Sequence, residues 1–247
     1  MAEALVAFFP GLALGSFLNV VAARVPARRS IVRPASSCMS CSTPIAARDN
    51  IPILSYLWLR GRCRACGVRI PLRYPAVELA TALLFFDCVL RFGTSWDAAV
   101  AAFVCGVLVA ISVTDLEHRI VPNRIVVPGA VVVLLAQTAL HPSPEWAIGA
   151  VGAAGFLLVA ALAYPAGMGM GDVKLALLMG AALGRVVPVA LMVGMLSALV
   201  PSMVLFARHG AGARKMGIPL APFLALGTIV GLFAGHEILN AYLSMLG

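Results

Sequence analysis

Gly167-Met168-Gly169-Met170-Gly171-Asp172 ends one apolar run and opens another, Asp172-Val173-Lys174-Leu175-Ala176-Leu177. Three glycines at alternate positions let the backbone leave helical geometry and admit close approach by another chain. The carboxylate that follows has a ready structural explanation, as a cap that accepts backbone N–H groups at the positive end of a helix dipole. It also has a functional one, because acids beside a membrane are costly and persist where chemistry or transport uses them. The choice between the two turns on whether a second carboxylate is placed to match it.

The surrounding chain makes the membrane setting plain. Its 247 residues are 62% hydrophobic and 11% charged, with a mean hydropathy of +1.00, well outside the range of soluble domains. Apolar windows of about 20 residues predict an all-α polytopic membrane protein with about eight transmembrane helices, near 4–23, 75–92, 96–114, 124–140, 145–165, 172–184, 186–207 and 219–242. The sixth window is the short one: as a helix it rises about 20 Å against a hydrocarbon core of about 30 Å, which leaves a half-span open.

Orientation follows from charge. With the N-terminus outside, the polar segments 24–74, 115–123, 166–171 and 208–218 share one face, and of the eighteen Lys and Arg only Arg91 and Arg185 fall at the opposite ends. The positive-inside rule makes the shared face cytoplasmic. A single kinked span over 172–207 would put the basic loop Arg208 to Lys215 outside, against that rule. The run Ala4 to Ala23 is followed, not preceded, by Arg24, Arg28, Arg29 and Arg33, which reads as a retained first helix and not as a cleaved signal peptide. The net charge of +8 therefore encodes topology, and nucleic-acid binding is not expected.

The segment from Arg24 to Tyr74 is the one sizeable polar insertion. It carries Cys38-Met39-Ser40-Cys41 and Cys63-Arg64-Ala65-Cys66, close to the spacing of a four-cysteine zinc ribbon in which each pair supplies two thiolates to a tetrahedral ion. Two disulfides are the alternative, but a reducing cytoplasm disfavours them, and about 50 residues bury little core unaided. Cys88 and Cys105 lie within apolar spans and read as small core residues. Gly11 and Gly15 form a G-x-x-x-G frame on the first span, with Asn19 available for an interhelical hydrogen bond or a polar pocket. Glu78, in the first turn of the second span, either complements the helix dipole or faces a polar interior.

The second carboxylate is Asp115, in Ile111-Ser112-Val113-Thr114-Asp115-Leu116. It stands at the cytoplasmic end of the third span, where the helix dipole disfavours negative charge. Asp172 begins the sixth span from the same face, at the same depth. Two neighbouring carboxylates can share one proton, so that one activates a water while the other protonates a leaving amine, the division of labour in aspartyl proteases. Asp172, at a helix N-terminus, is expected to be the ionised member and Asp115 to hold the shared proton. Glu117, His118 and Arg119 read as interfacial loop charges.

These residues resemble the bacterial type IV prepilin peptidases (prepilin leader peptidase/N-methyltransferases), among the GxGD intramembrane aspartyl proteases. The resemblance is carried by Gly15-Ser16-Phe17-Leu18-Asn19-Val20, both cysteine pairs, Asp49-Asn50-Ile51-Pro52, Arg60-Gly61-Arg62-Cys63, Arg73-Tyr74-Pro75, the Asp115 segment and Gly169-Met170-Gly171-Asp172-Val173-Lys174. It implies a first helix over 1–23, a zinc module over 24–74 and a transmembrane aspartyl protease core over 75–247. It further implies that Asp115 and Asp172 are the catalytic pair, cleaving the leaders of prepilins and pseudopilins at the cytoplasmic face of a bacterial inner membrane. Gly169, Gly171 and Lys174 would give substrate access beside the acid, and the four cysteines would hold Zn2+. By the same resemblance, S-adenosylmethionine methylates the new N-terminus, with Asn19 and Glu78 as candidate residues for that step or for a polar pocket. Two departures stand out: Met39 where Pro often follows the first Cys, and Asn123 where a second Asp is common. The rival readings are an ion-coupled transporter using Asp115 and Asp172 as relay acids, and a scaffold whose zinc module recruits partners.

Overall fold

The structure is a computed structural model that describes residues 1–164, 168–210 and 217–246. Gly167 of the glycine run, and Arg214 and Lys215 of the basic loop, lie outside the described residues. The described chain is helical: α1 (Ala2–Arg24), α2 (Leu54–Trp58), α3 (Arg73–Phe92), α4 (Trp96–His118), α5 (Asn123–Leu140), α6 (Glu145–Ala163), α7 (Met170–Leu183), α8 (Val187–His209) and α9 (Ala221–Leu246). Short 3-10 turns cover Ala47–Asp49 and Gly184–Val186, and two isolated bridges are the only β pairing among the described residues. The chain divides into two compact units, Met1–Ala110 and Ile111–Gly247, with the division inside α4.

In the first unit α1 and α3 run antiparallel, and the glycine frame explains how close they come. A Cβ on Gly11 would lie 2.7 Å from Ala82 Cα, and one on Gly15 would lie 2.7 Å from Glu78 Cα. Only glycine allows that approach, which provides the packing and interhelical hydrogen bonding that association in lipid relies on. Asn19, 3% exposed, donates from Nδ2 to Tyr74 O at 3.1 Å and so bridges the two helices. Cys88 and Cys105 are fully buried with their sulfurs 4.0 Å apart, as core residues.

The second unit uses the same device. A Cβ on Gly180 of α7 would overlap the Gly149 carbonyl of α6, and Gly184 sits against Trp146, so α6 and α7 are antiparallel. Along α5 and α7 the contacts run in step, Asn123 to Lys174 at one end and Gln137 to Ala182 at the other. Gly227 of α9 rests on Ala190 and Gly194 of α8, and Gly235 on Val186. The end of α4 and the starts of α5, α7 and α9 thus gather at one end of the unit.

Among the described residues, six stretches are long and apolar enough to cross a membrane, one of them the 40-residue run Met170–His209. The chain reverses within that run, at Gly184, whose φ of +53° is a left-handed conformation suited to glycine. The run is therefore two helices, α7 and α8, and not one kinked span. α3 falls outside the six because it carries Arg73, Glu78, Asp87 and Arg91, yet it runs alongside α1 and its 20 residues reach about 30 Å. Each of the eight expected spans falls on a helix.

The Gly149–Gly180 contact gives a direct stability test. Gly180→Ala is expected to destabilise the protein by about 1–3 kcal/mol through overpacking. Gly155→Ala, where the added Cβ meets nothing within 4 Å, is expected to be neutral or mildly stabilising, because alanine favours helix. Thermal unfolding of the two variants in detergent checks this.

Candidate active site and metal centre

The two carboxylates are held in parallel ways at one end of the second unit. Asp172 is the third residue of α7, and its Oδ2 accepts the N–H of Gly169, the residue before the helix, at 3.2 Å. Gly169, in extended conformation, supplies the cap through its backbone. Asp115, 6% exposed, accepts from Ala221 N–H at 3.1 Å. Gly171, beside Asp172, packs on Val121 of the link that follows Asp115 and α4, which brings the start of α7 to the end of α4.

Ala221 was not legible as a site residue, and it changes the electrostatics. Asp115 does end α4, but it also faces the first residue of α9, a 26-residue helix whose N-terminus favours negative charge. Each acid therefore receives one backbone N–H from a helix start, and the asymmetry expected from the dipoles of α4 and α7 is offset. The available signal was Ile218-Pro219-Leu220-Ala221-Pro222, since Pro in the first turn marks a helix start.

The glycines beside Asp172 differ. Gly171 is a packing residue: a Cβ there would lie 2.8 Å from Val121 Cβ. Gly169 is exposed, and the nearest groups to an added Cβ are its own neighbours, at 3.7 Å and beyond. Lys174 Nζ donates to Asn123 Oδ1 at 2.9 Å, tying the start of α7 to the start of α5.

In the first unit Glu78, 8% exposed, accepts from Ile53 N–H at 2.8 Å through Oε2. Ile53 has φ +60° and ψ −51°, and Leu54 N–H bonds back to Pro52 O at 2.6 Å, a strained γ-turn centred on a β-branched residue. Such strain costs about 1–3 kcal/mol and persists only where neighbours over-determine it. Those neighbours are Glu78 and buried Ser55, whose hydroxyl accepts from Ile51 N–H at 2.9 Å and donates to Arg48 O at 3.0 Å. Glu78 is thus an anchor for the loop of the polar insertion. Asn19 Oδ1 is buried with no hydrogen-bond partner among the described residues.

The four cysteines converge. One sulfur from each of Cys38, Cys41, Cys63 and Cys66 lies within 4.8 Å of the others, with Cys38 and Cys66 at 3.8 Å. Thiolates about 2.3 Å from a tetrahedral ion stand about 3.8 Å apart, so the cluster has the size to hold a metal ion, and the thiols are free, not paired as disulfides. Each pair sits on the same turn: Ser42 N–H bonds Cys38 O and Gly67 N–H bonds Cys63 O, both at 2.9 Å. Ser42 and Gly67 both have positive φ, and the bridges Ser37–Pro44 and Arg62–Arg69 close the two turns. Contacts with the Thr43 side chain and backbone hold the Cys41 thiol down, to about 6, while desolvation and the neighbouring thiols push Cys66 up, to about 11, as expected where clustered thiols share protons. Arg64, between the second pair, makes a two-pronged bond to Asp49 at 2.7 and 2.8 Å and holds that carboxyl below its usual range.

Comparison with known proteins fits this arrangement. The family model for the bacterial peptidase A24 N-terminal domain matches residues 9–92, which hold most of α1, the cysteine turns and α3. That for the type IV leader peptidase family matches residues 102–207, which hold both carboxylates. A prepilin leader peptidase/N-methyltransferase of Bacillus subtilis (strain 168) is 36% identical over 96% of this chain and 97% of its own length. The chain belongs to the type IV leader peptidase family. Proteins of the same name from Pseudomonas putida (35% identical, 96% of this chain and 92% of the relative) and Myxococcus xanthus (41% identical, 84% and 64%) agree. No solved structure matches. α9, which supplies the N–H to Asp115, lies beyond both matched regions.

Proposed function

We propose that this family member is an intramembrane aspartic endopeptidase that removes the leaders of type IV prepilins or pseudopilins at the cytoplasmic face, with Asp115 and Asp172 as the catalytic pair. The observation that carries the proposal is the matched placement of two carboxylates, each on one backbone N–H at a helix start, at one end of the second unit. The ionised carboxylate accepts a proton from water as the water oxygen attacks the scissile carbonyl. The protonated partner donates to the departing amine as the C–N bond breaks. Gly169, exposed and without a side chain, leaves space beside Asp172 for an extended substrate, while Gly171 and Lys174 fix the start of α7.

The four-cysteine cluster fits Zn2+, which takes four thiolates at this spacing and would hold the module together. The distribution of Lys and Arg supports a bacterial inner-membrane protein with the N-terminus periplasmic and the insertion 24–74, between span 1–23 and core 75–247, in the cytoplasm. The names of the relatives support methylation of the newly exposed N-terminus. S-adenosylmethionine would supply that methyl group; no strand-turn-helix cradle for it occurs among the described residues, and buried Asn19 and Glu78 are the residues we assign to that step or to a polar pocket.

The test is incubation of membranes containing the protein with a prepilin and labelled S-adenosylmethionine, followed by mass analysis. Loss of the leader and gain of one methyl on the mature chain are expected. A prepilin of unchanged mass would overturn the peptidase reading, and a cleaved but unmethylated product would overturn the methyl-transfer reading alone.

A further inference from the structure

The helix α2, Leu54–Trp58, is built the wrong way round for a soluble module. Its one buried residue is the polar Ser55, while Leu54 and Leu57 are each 64% exposed and Trp58 is 84% exposed. These three stand at i, i+3 and i+4, one face of a helix. A face of Leu, Leu and Trp turned outward is the pattern of a segment that lies in a membrane interface, where the amphipathic Trp ring is favoured.

The position of α2 is fixed independently of its composition. The N–H of Ile53, the residue before α2, bonds the carboxylate of Glu78, and Glu78 lies five residues into α3, about 7.5 Å along that helix from Arg73. An interfacial helix buries its apolar face about 5–10 Å into the boundary between headgroups and acyl chains. With Arg73 taken as the headgroup-level end of α3, the Glu78–Ile53 bond holds α2 at the depth where such a face belongs, and the strained γ-turn at Ile53 leads into it. Both ends of the insertion return to that level, since Asn19 near the end of α1 bonds Tyr74 at the start of α3.

Charge points to the same partner. Between Arg24 and Tyr74 the only acid is Asp49, already paired with Arg64, against ten arginines. Arg48, Arg60, Arg62 and Arg69 are exposed around α2 and the cysteine turns. Arginines flanking an apolar face match the anionic headgroups of the cytoplasmic leaflet.

We propose that α2 is a membrane-interface anchor: Leu54, Leu57 and Trp58 insert among lipid headgroups and acyl chains and hold the four-cysteine module flat against the bilayer.

The test uses the full chain in vesicles of phosphatidylcholine and phosphatidylglycerol, with Trp96→Phe and Trp146→Phe leaving Trp58 as the only tryptophan. Its fluorescence is expected to be quenched several-fold more by lipids carrying a spin label high on the acyl chain than by labels near the chain end, and to be shielded from aqueous acrylamide. Free quenching by acrylamide with no response to lipid-borne labels would overturn the proposal. So would protection from acrylamide that appears only after a prepilin is added and comes without lipid quenching, which would make the face a substrate dock. A second variant, Leu57→Ser with Trp58→Ser, is read by protease protection of the module on vesicles, with metal content reporting that the cysteine turns remain folded. Loss of protection with metal retained is expected; unchanged protection with metal retained would count against an anchor.

Discussion

Replacing Cys38 and Cys63 together by Ser is expected to abolish metal binding and unfold the segment 24–74, leaving the spans in place. The four thiols converge within 4.8 Å on two turns whose own hydrogen bonds are few, and the apolar residues of the insertion are largely exposed, so no core replaces the ion. Structural zinc contributes about 10–16 kcal/mol in small peptides, comparable to or larger than the whole stability of a typical domain, about 5–15 kcal/mol. Metal analysis and limited proteolysis check this: wild type should carry one ion per chain and a protected insertion, the variant neither. A wild-type protein free of metal, or a variant as protease-resistant as wild type, would contradict it. Cys88→Ser, in the buried contact with Cys105, should leave the metal in place.

Asp115→Asn and Asp172→Asn are each expected to slow leader release by about 10²–10⁴-fold, the range for loss of a positioned acid or base. Asn keeps the size of the side chain and an acceptor oxygen, so the N–H bonds from Ala221 and Gly169 can persist and the helices need not shift. What it removes is the ability to take or give a proton. Initial rates in membranes, normalised to protein level by immunoblot, separate this from misfolding: levels should stay near wild type while rates collapse. Arg119→Gln is a useful contrast, because Arg119 bonds the Asp115 carbonyl through its backbone N–H, a bond that Gln keeps, and it should change the rate far less.

The helices were legible because membrane spans are long apolar runs whose ends are marked by charge. Even the short sixth span was visible, and Gly184 explains why it is separate: a left-handed glycine reverses the chain between α7 and α8. The cysteine cluster was legible because ligand spacing is local in sequence. Close packing at Gly11 and Gly15 followed from the G-x-x-x-G frame, whereas Gly149 with Gly180 did not, since the two glycines lie on different helices. For the same reason the pairing of Asp115 with Ala221 was invisible: it joins residues 106 apart, through a backbone group that any residue supplies. The role of Glu78 was open between dipole and polar interior, and the structure shows a third use, as the clamp on a strained turn that no propensity predicts.

The central claim, that two carboxylates act as one site, is tested most directly by leader-release rates in Asp115→Asn, Asp172→Asn and the double variant. Groups that act as a unit are non-additive, so each single variant is predicted to fall to the same residual rate as the double. Single variants that keep substantial activity, with losses that multiply in the double, would contradict it.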